Sequence, residues 1–258
     1  MVEFRLIPVR LCTPASPRRG LPQQPEPCLP MFILRRLDGM PPESFQNQIR
    51  QLVIDHVSEL SSVAIAPGNP LYPLYQYGVG LEVHQYLQAM DGSRGLAVDV
   101  LLALDADAPE RLLGFAIALP AQDDPQACAV AFLAVDPGQR RQGIARAMLA
   151  EFGKRFACVE LNCFVQQVPW FEAMGLQVVA AAGTQVLMSS TGTASGALIG
   201  RLDIAPIYRT LEVGQIHAYL VKQHGDETMI EAEKERDQRL DQLAWQAREF
   251  VRQRRMVH

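Results

Sequence analysis

Between residues 127 and 152 the chain changes its hydrophobic period, and this switch constrains the fold more than any other feature of the 258 residues. Three extended apolar segments come first, at residues 96–104, 111–119 and 127–135. Turn formers at 105–109 and 123–125 separate them, which predicts an antiparallel meander. The last segment stops at Asp136-Pro137-Gly138, and helical spacing then runs from Gly143 to Phe152. Further strands are expected at 158–164, 176–181 and 185–189, with a short helix at 169–174 that Gly175 ends. Upstream, residues 31–37 read as a first strand. Residues 44–60 read as a helix whose apolar side chains recur at three and four. Residues 67–80, rich in Pro, Gly and Tyr, read as a loop, and residues 81–90 as a second helix. The expected class is α/β (α+β), a mixed central sheet flanked by helices.

The junction itself predicts an anion site. The first turn of a helix leaves several N–H groups unpaired, and the helix dipole adds partial positive charge there. Gly143 lets a ligand approach the backbone, Ala145 keeps the helix face small, and Arg140 and Arg141 supply cations. The run Leu133-Ala134-Val135-Asp136-Pro137-Gly138-Gln139-Arg140-Arg141-Gln142-Gly143-Ile144-Ala145 resembles the acetyl-CoA signature of the GNAT acetyltransferase superfamily. That signature reads Leu-x-Val-x-Pro-x-x-Arg/Gln-x-x-Gly-x-Gly/Ala. Leu133, Val135, Pro137, Arg140, Gly143 and Ala145 fill its fixed places, and Met148 and Leu149 continue it as an apolar pair.

The resemblance implies an N-acetyltransferase that uses acetyl-CoA as cosubstrate, without a metal. It implies that the backbone N–H of Val135 polarises the acetyl carbonyl as an oxyanion donor. The cofactor set is then Leu133, Val135, Arg140, Arg141, Gln142, Gly143, Ile144, Ala145, Arg146 and Phe171. Amides from Arg141 to Arg146 hold the pyrophosphate, and the pantetheine arm lies between the strand ending at Val135 and the strand 158–164. The family's second motif, Phe-Tyr-x-x-x-Gly-Phe, is replaced here by Trp170-Phe171-Glu172-Ala173-Met174-Gly175-Leu176. Phe171 takes the place of a Tyr that often protonates the departing thiolate, and it has no proton to give.

A base is also needed to deprotonate the attacking amine. Glu160 shares a strand face with Asn162 and is the candidate, with Cys163 on the opposite face. His84 falls where family members shape the acceptor pocket, and His56 reads as a core residue. Tyr72, Tyr75 and Tyr77, with Pro70 and Pro73, form an aromatic loop that covers either the substrate or the sheet edge. The acceptor is a primary amine of a small molecule or a protein. The competing reading, which the missing Tyr keeps open, is a GNAT-like domain acting as a structural or binding module in an assembly.

Composition bounds the rest. A net charge of −4 argues against a general nucleic-acid binder, and no apolar run reaches the roughly 20 residues of a membrane span. Five cysteines lacking CxxC pairs or zinc-type spacing fit reduced thiols in the cytoplasm. Four regions are expected: an extended tail at 1–30 with seven prolines, a GNAT domain at 31–190, a linker or accessory segment at 191–225, and a charged helix at 226–258. In that helix Leu240, Leu243, Ala244, Ala247, Phe250 and Val251 make an apolar stripe. The charged lead before the stripe suggests docking on a second copy or another protein, with packing on its own sheet as the alternative.

Overall fold

The structure, a computed structural model, describes residues 6–8 and 31–256. Eight strands form one sheet in the order β1-β2-β3-β4-β5-β6-β8-β7. They are β1 (Leu6–Pro8), β2 (Phe32–Leu37), β3 (Asp99–Asp105), β4 (Leu112–Pro120), β5 (Ala127–Val135), β6 (Cys158–Cys163), β7 (Gln177–Ala182) and β8 (Gln185–Ser189). Every neighbouring pair is antiparallel except β5 and β6. The mixed sheet and the meander β3–β5 are those expected from the sequence. Most of the expected tail lies outside the described residues. Its described part, β1, pairs with β2 at the sheet edge and ends on Pro8, where a missing N–H is tolerated.

The alternating side chains of the central strands feed two cores. Val100, Leu102 and Leu104 of β3 face α1 (Glu43–Asp55) and α3 (Tyr72–Gln88), while Leu101 and Ala103 face α4 (Ile144–Gly153). The expected single helix at 44–60 is broken at His56, whose φ of −124° leaves helical geometry, so α2 (Val57–Leu60) is separate. Residues 67–80 differ more from expectation. Helix α3 already begins at Tyr72, with Pro73 in its first turn, where a missing N–H costs nothing. Gly78 in mid-helix is explained by a distant neighbour: a Cβ there would lie 2.6 Å from the Tyr208 hydroxyl.

The segment after β8 is not a free linker. Leu198 N–H donates to Asp123 at 2.7 Å, and Gln122 N–H donates to the Leu198 carbonyl at 2.9 Å. Residues 201–225 contain a short 3-10 turn, Ile207–Arg209, and α6 (Leu211–His224), capped by Thr210. Helix α7 (Asp226–Met256) is the predicted charged helix, but its stripe does not reach away from the body. Leu243, Ala247 and Val251 are buried, Ala247 and Val251 in the core that contains α4, while Met229 and Ala232 at the other end are buried with α3 and α6. One helix thus joins both cores, and Arg254 adds an ion pair to Glu172. Docking of this stripe on a partner is therefore corrected: the apolar stripe is spent on the chain's own sheet, and Trp245, 60% exposed, stays outside it. No helix among the described residues is long and apolar enough to cross a membrane.

Candidate active site

Strands β5 and β6 diverge. Their parallel pairing runs only from Ala127–Cys158 to Val130–Leu161, although β5 continues to Val135. On the other side β5 stays paired with β4 as far as Gly114–Val135, through a register shift opposite Ala118. Asp136 N–H donates to the Leu113 carbonyl at 2.8 Å, which fixes the alternation of the ladder. The N–H groups of Val135 and Leu133 therefore point away from β4, towards the opening between β5 and β6. Gly114 makes this edge possible, because a Cβ there would sit 2.6 Å from the Ala134 carbonyl oxygen and 3.2 Å from Val135 Cα.

Beyond Val135 the Asp136 carboxylate accepts from Gly138 N–H at 2.8 Å, tightening the 3-10 turn that follows. Two residues then take left-handed geometry, Arg141 at φ +64° and Gly143 at φ +82°, and Gly143 caps α4. Among the described residues, none of the six backbone N–H groups from Arg141 to Arg146 has a hydrogen-bond partner. A turn of this kind, opening a ten-residue helix, is an anion-binding concavity. Ile144 is buried beneath it, and Gln142 and Ala145 flank it.

The arginine side chains serve the turn rather than crowding it. Arg140 pairs with Glu59 of α2 at 3.1 Å and donates to the Val135 carbonyl at 3.3 Å. Arg146 donates to the Ala173 carbonyl at the end of α5 (Val168–Ala173) at 2.7 Å, and Arg141 is exposed. Coulomb attraction from Arg140 and Arg141 still reaches an anion at the turn.

The divergence opens into a cavity of about 600 Å³. One wall is Phe132, Leu133, Asn162 and Phe171, and the opposite wall is the face of α3 that carries Tyr75, Val79, Glu82 and Tyr86. The segment after residue 200 closes it, with Arg201, Tyr208 and His217, and with Glu233 and Arg236 of α7. The Asn162 side-chain oxygen is buried with no hydrogen-bond partner, an unmet acceptor on the cavity wall.

Two sequence candidates change role. Glu160 does not line the cavity. Its carboxylate accepts from Ser195 N–H at 2.6 Å and Ser195 Oγ at 3.1 Å, so it anchors the 190–200 segment instead of facing an amine. His84 also lies off the cavity, because two residues along a helix turn it well away from the face of Glu82. Cys163 does line the cavity, but burial, with Glu172 nearby, pushes its thiol up to about 12, which keeps it protonated.

The sequence reading missed Glu82. Burial raises its carboxyl from 4.5 to about 7, against the opposing attraction of Arg201. Burial, helped by Tyr75 and Glu82, pushes the Tyr208 hydroxyl up to about 12. The clue was spacing: Tyr75, Val79, Glu82 and Tyr86 share one face once the helix is started at Tyr72. Among the described residues no cluster of three or more His, Cys, Asp or Glu could hold a metal.

Residues 73–176 match the model of the "Acetyltransferase (GNAT) family". No curated protein matches the chain in sequence. Among solved structures, the PaiA N-acetyltransferase of Thermoplasma acidophilum in complex with coenzyme A is 15% identical. The match covers 61% of this chain and 97% of that one, with a TM-score of 0.45. An aminoglycoside 6'-N-acetyltransferase complexed with coenzyme A is 13% identical, over 66% of this chain and 99% of that one, at 0.43. Arabidopsis thaliana NAA60 in complex with a bisubstrate analogue is 15% identical, over 61% and 96%, at 0.41. The signature run, the strand-to-helix turn behind it and the match over residues 73–176 together identify this part of the chain as a domain of the GNAT acetyltransferase family.

Proposed function

We propose that the protein is an N-acetyltransferase that moves the acetyl group of acetyl-CoA to a primary amine. The observation that carries this reading is the pairing of two features along one path: a row of unpartnered amides from Arg141 to Arg146, and a strand edge at Leu133 and Val135 with its N–H groups turned into the opening. The amides suit a pyrophosphate, since each is an unfilled donor at a helix start. The opening between β5 and β6 suits an extended arm whose amides would complete the strand edges. The N–H of Val135 suits the carbonyl oxygen as negative charge develops on it.

Phe171 supplies an apolar wall and no proton. That substitution favours a second reading, in which the domain binds the cofactor as a module of an assembly without turnover. Under the enzyme reading the departing sulfur takes its proton from the amine or from water.

Two measurements test the proposal. Calorimetry with coenzyme A should show binding to the wild type and none to Gly143→Glu, which forces a carboxylate and a strained left-handed residue into the anion path. Thioester consumption over a panel of primary amines then separates the readings. Binding with turnover supports the enzyme, and binding without turnover supports the module. An unchanged affinity in Gly143→Glu refutes the site.

A further inference from the structure

The cavity behind the β5–β6 opening has a far wall that comes from residues outside the family match. The segment 201–236 brings Arg201, Tyr208, His217, Glu233 and Arg236 against the same face of α3. Glu82 stands on that face with no hydrogen bond or ion pair among the described residues, while several neighbouring polar groups are engaged. Tyr86 Oη accepts from Leu202 N–H at 3.3 Å, Arg236 is bonded to Asp237 at 2.8 Å, and Glu59 at the cavity edge holds Arg140. A carboxylate held in a half-closed cavity beside aromatic rings is poorly solvated, and the attraction of Arg201 offsets that only in part.

Resting on the acetyltransferase reading, we infer that Glu82 is the catalytic base and the anchor for the acceptor, which enters the cavity as a cationic primary amine. The amine cation supplies the directly bonded partner that Glu82 lacks among the described residues, and Tyr75, Tyr208 and Phe132 give its carbon chain an apolar or cation–π seat. In the reaction Glu82 takes one proton from the ammonium. The freed nitrogen lone pair forms the C–N bond at the acetyl carbonyl, whose oxygen is held by Val135 N–H. The C–S bond breaks, sulfur leaves with the electron pair, and the second nitrogen proton passes to it. The products are the amide, the free thiol and a protonated Glu82 that returns its proton to water.

A carboxyl titrating close to neutrality is matched to this task, since it is a stronger base than an ordinary carboxylate and is still about half ionised at neutral pH. Arg201 acts on it as a positioning residue: its attraction keeps the carboxyl from rising further. The other titratable groups that face the same space are Glu59, Tyr75, Tyr86, Cys163, Tyr208, His217, Glu233 and Arg236. Among them His217 is the imidazole that a pH profile must be controlled for.

The experiment is a pH–rate profile of thioester consumption with n-butylamine, tyramine and lysine as acceptors, for wild type, Glu82→Gln, Glu82→Asp, Arg201→Ala and His217→Gln. Calorimetry with coenzyme A is run on each. The expected result is a loss of about a hundredfold or more in kcat/KM for Glu82→Gln, with coenzyme A affinity unchanged. Glu82→Asp should recover part of the rate. Arg201→Ala should move the acidic limb to higher pH, and His217→Gln should leave that limb in place. The titration of Glu82 is also read directly, from the carboxyl carbon signal of the isotope-labelled wild type by NMR. An ordinary carboxylate titration, or turnover by Glu82→Gln within a few-fold of wild type, overturns the inference while leaving acetyl transfer standing. Coenzyme A binding with no turnover of any amine overturns both the inference and the enzyme reading. Loss of coenzyme A binding in the wild type overturns the site itself.

Discussion

Glu82→Gln should make the fold more stable above neutral pH, although it removes a charged side chain that reaches solvent through the cavity. The folded protein holds this proton with a value of about 7, against 4.5 for the ordinary carboxyl. Between those two values folding takes up a proton, so the folded state loses stability as pH rises through the window. Below 4.5 both states are protonated and the variant gains nothing. Above about 7 both are ionised, and the full cost of holding the charge in the cavity falls on the folded state. A shift of this size corresponds to at most roughly 3 kcal/mol, and less where water enters the cavity. Glutamine keeps the shape and removes the charge. For a domain of this size each kcal/mol is worth roughly 2–4 °C. The difference in Tm between Glu82→Gln and wild type should therefore grow from near zero at pH 4.5 to several degrees at pH 8. The assay is thermal unfolding followed by circular dichroism across that range, at constant ionic strength. A difference in Tm that stays flat from pH 4.5 to 8 would refute the reasoning, because it would mean that Glu82 titrates alike in both states.

Three further outcomes are expected. Gly114→Ala should lower stability by about 1–3 kcal/mol and weaken coenzyme A binding, because its Cβ meets the Ala134 carbonyl at 2.6 Å and displaces the edge that presents Val135; denaturant unfolding and calorimetry measure both. Ala247→Glu should destabilise by about 3 kcal/mol or more, since Ala247 is fully buried between α7 and the sheet; a chevron or urea melt within 1 kcal/mol of wild type would show that α7 is not docked there. Phe171→Tyr should raise the rate of thioester consumption if thiolate protonation limits it, with coenzyme A affinity unchanged.

Much of the fold was legible because its signals were local. The meander β3–β5 is written in three apolar runs separated by turns rich in Asp and Pro, and the anion turn in the residues from Pro137 to Ala145. What failed to read were the elements whose residues answer to distant neighbours. Tyr72–Gly80 carries Pro73, Gly78 and Gly80, a loop by composition, yet it is helical because Pro73 occupies the first turn and Gly78 makes room for Tyr208, 130 residues away. Glu160 looked like a free strand carboxylate next to the thioester site. Its two oxygens are taken by Ser195, a contact that no local pattern announces.

The same distance explains why the base candidate was overlooked. A glutamate on a helix usually reads as a solvated residue, and with the helix begun at Leu81 there was no apolar face for Glu82 to occupy. Its environment is created by residues that follow the family match: Arg201, then Tyr208 and α6, then the first turns of α7. These elements are held in place by bonds that have no catalytic content. Asn69 donates to the Ala232 carbonyl at 3.2 Å, Met229 and Ala232 are buried beside α3, and the far half of α7 is fixed on the opposite face of the sheet. Docking the stripe of α7 on its own sheet therefore has a consequence at the other end of a 31-residue helix, where Glu233 and Arg236 become cavity wall. On the proposed reading, acceptor choice belongs to the C-terminal segment and cofactor binding to the stretch between Leu133 and Arg146.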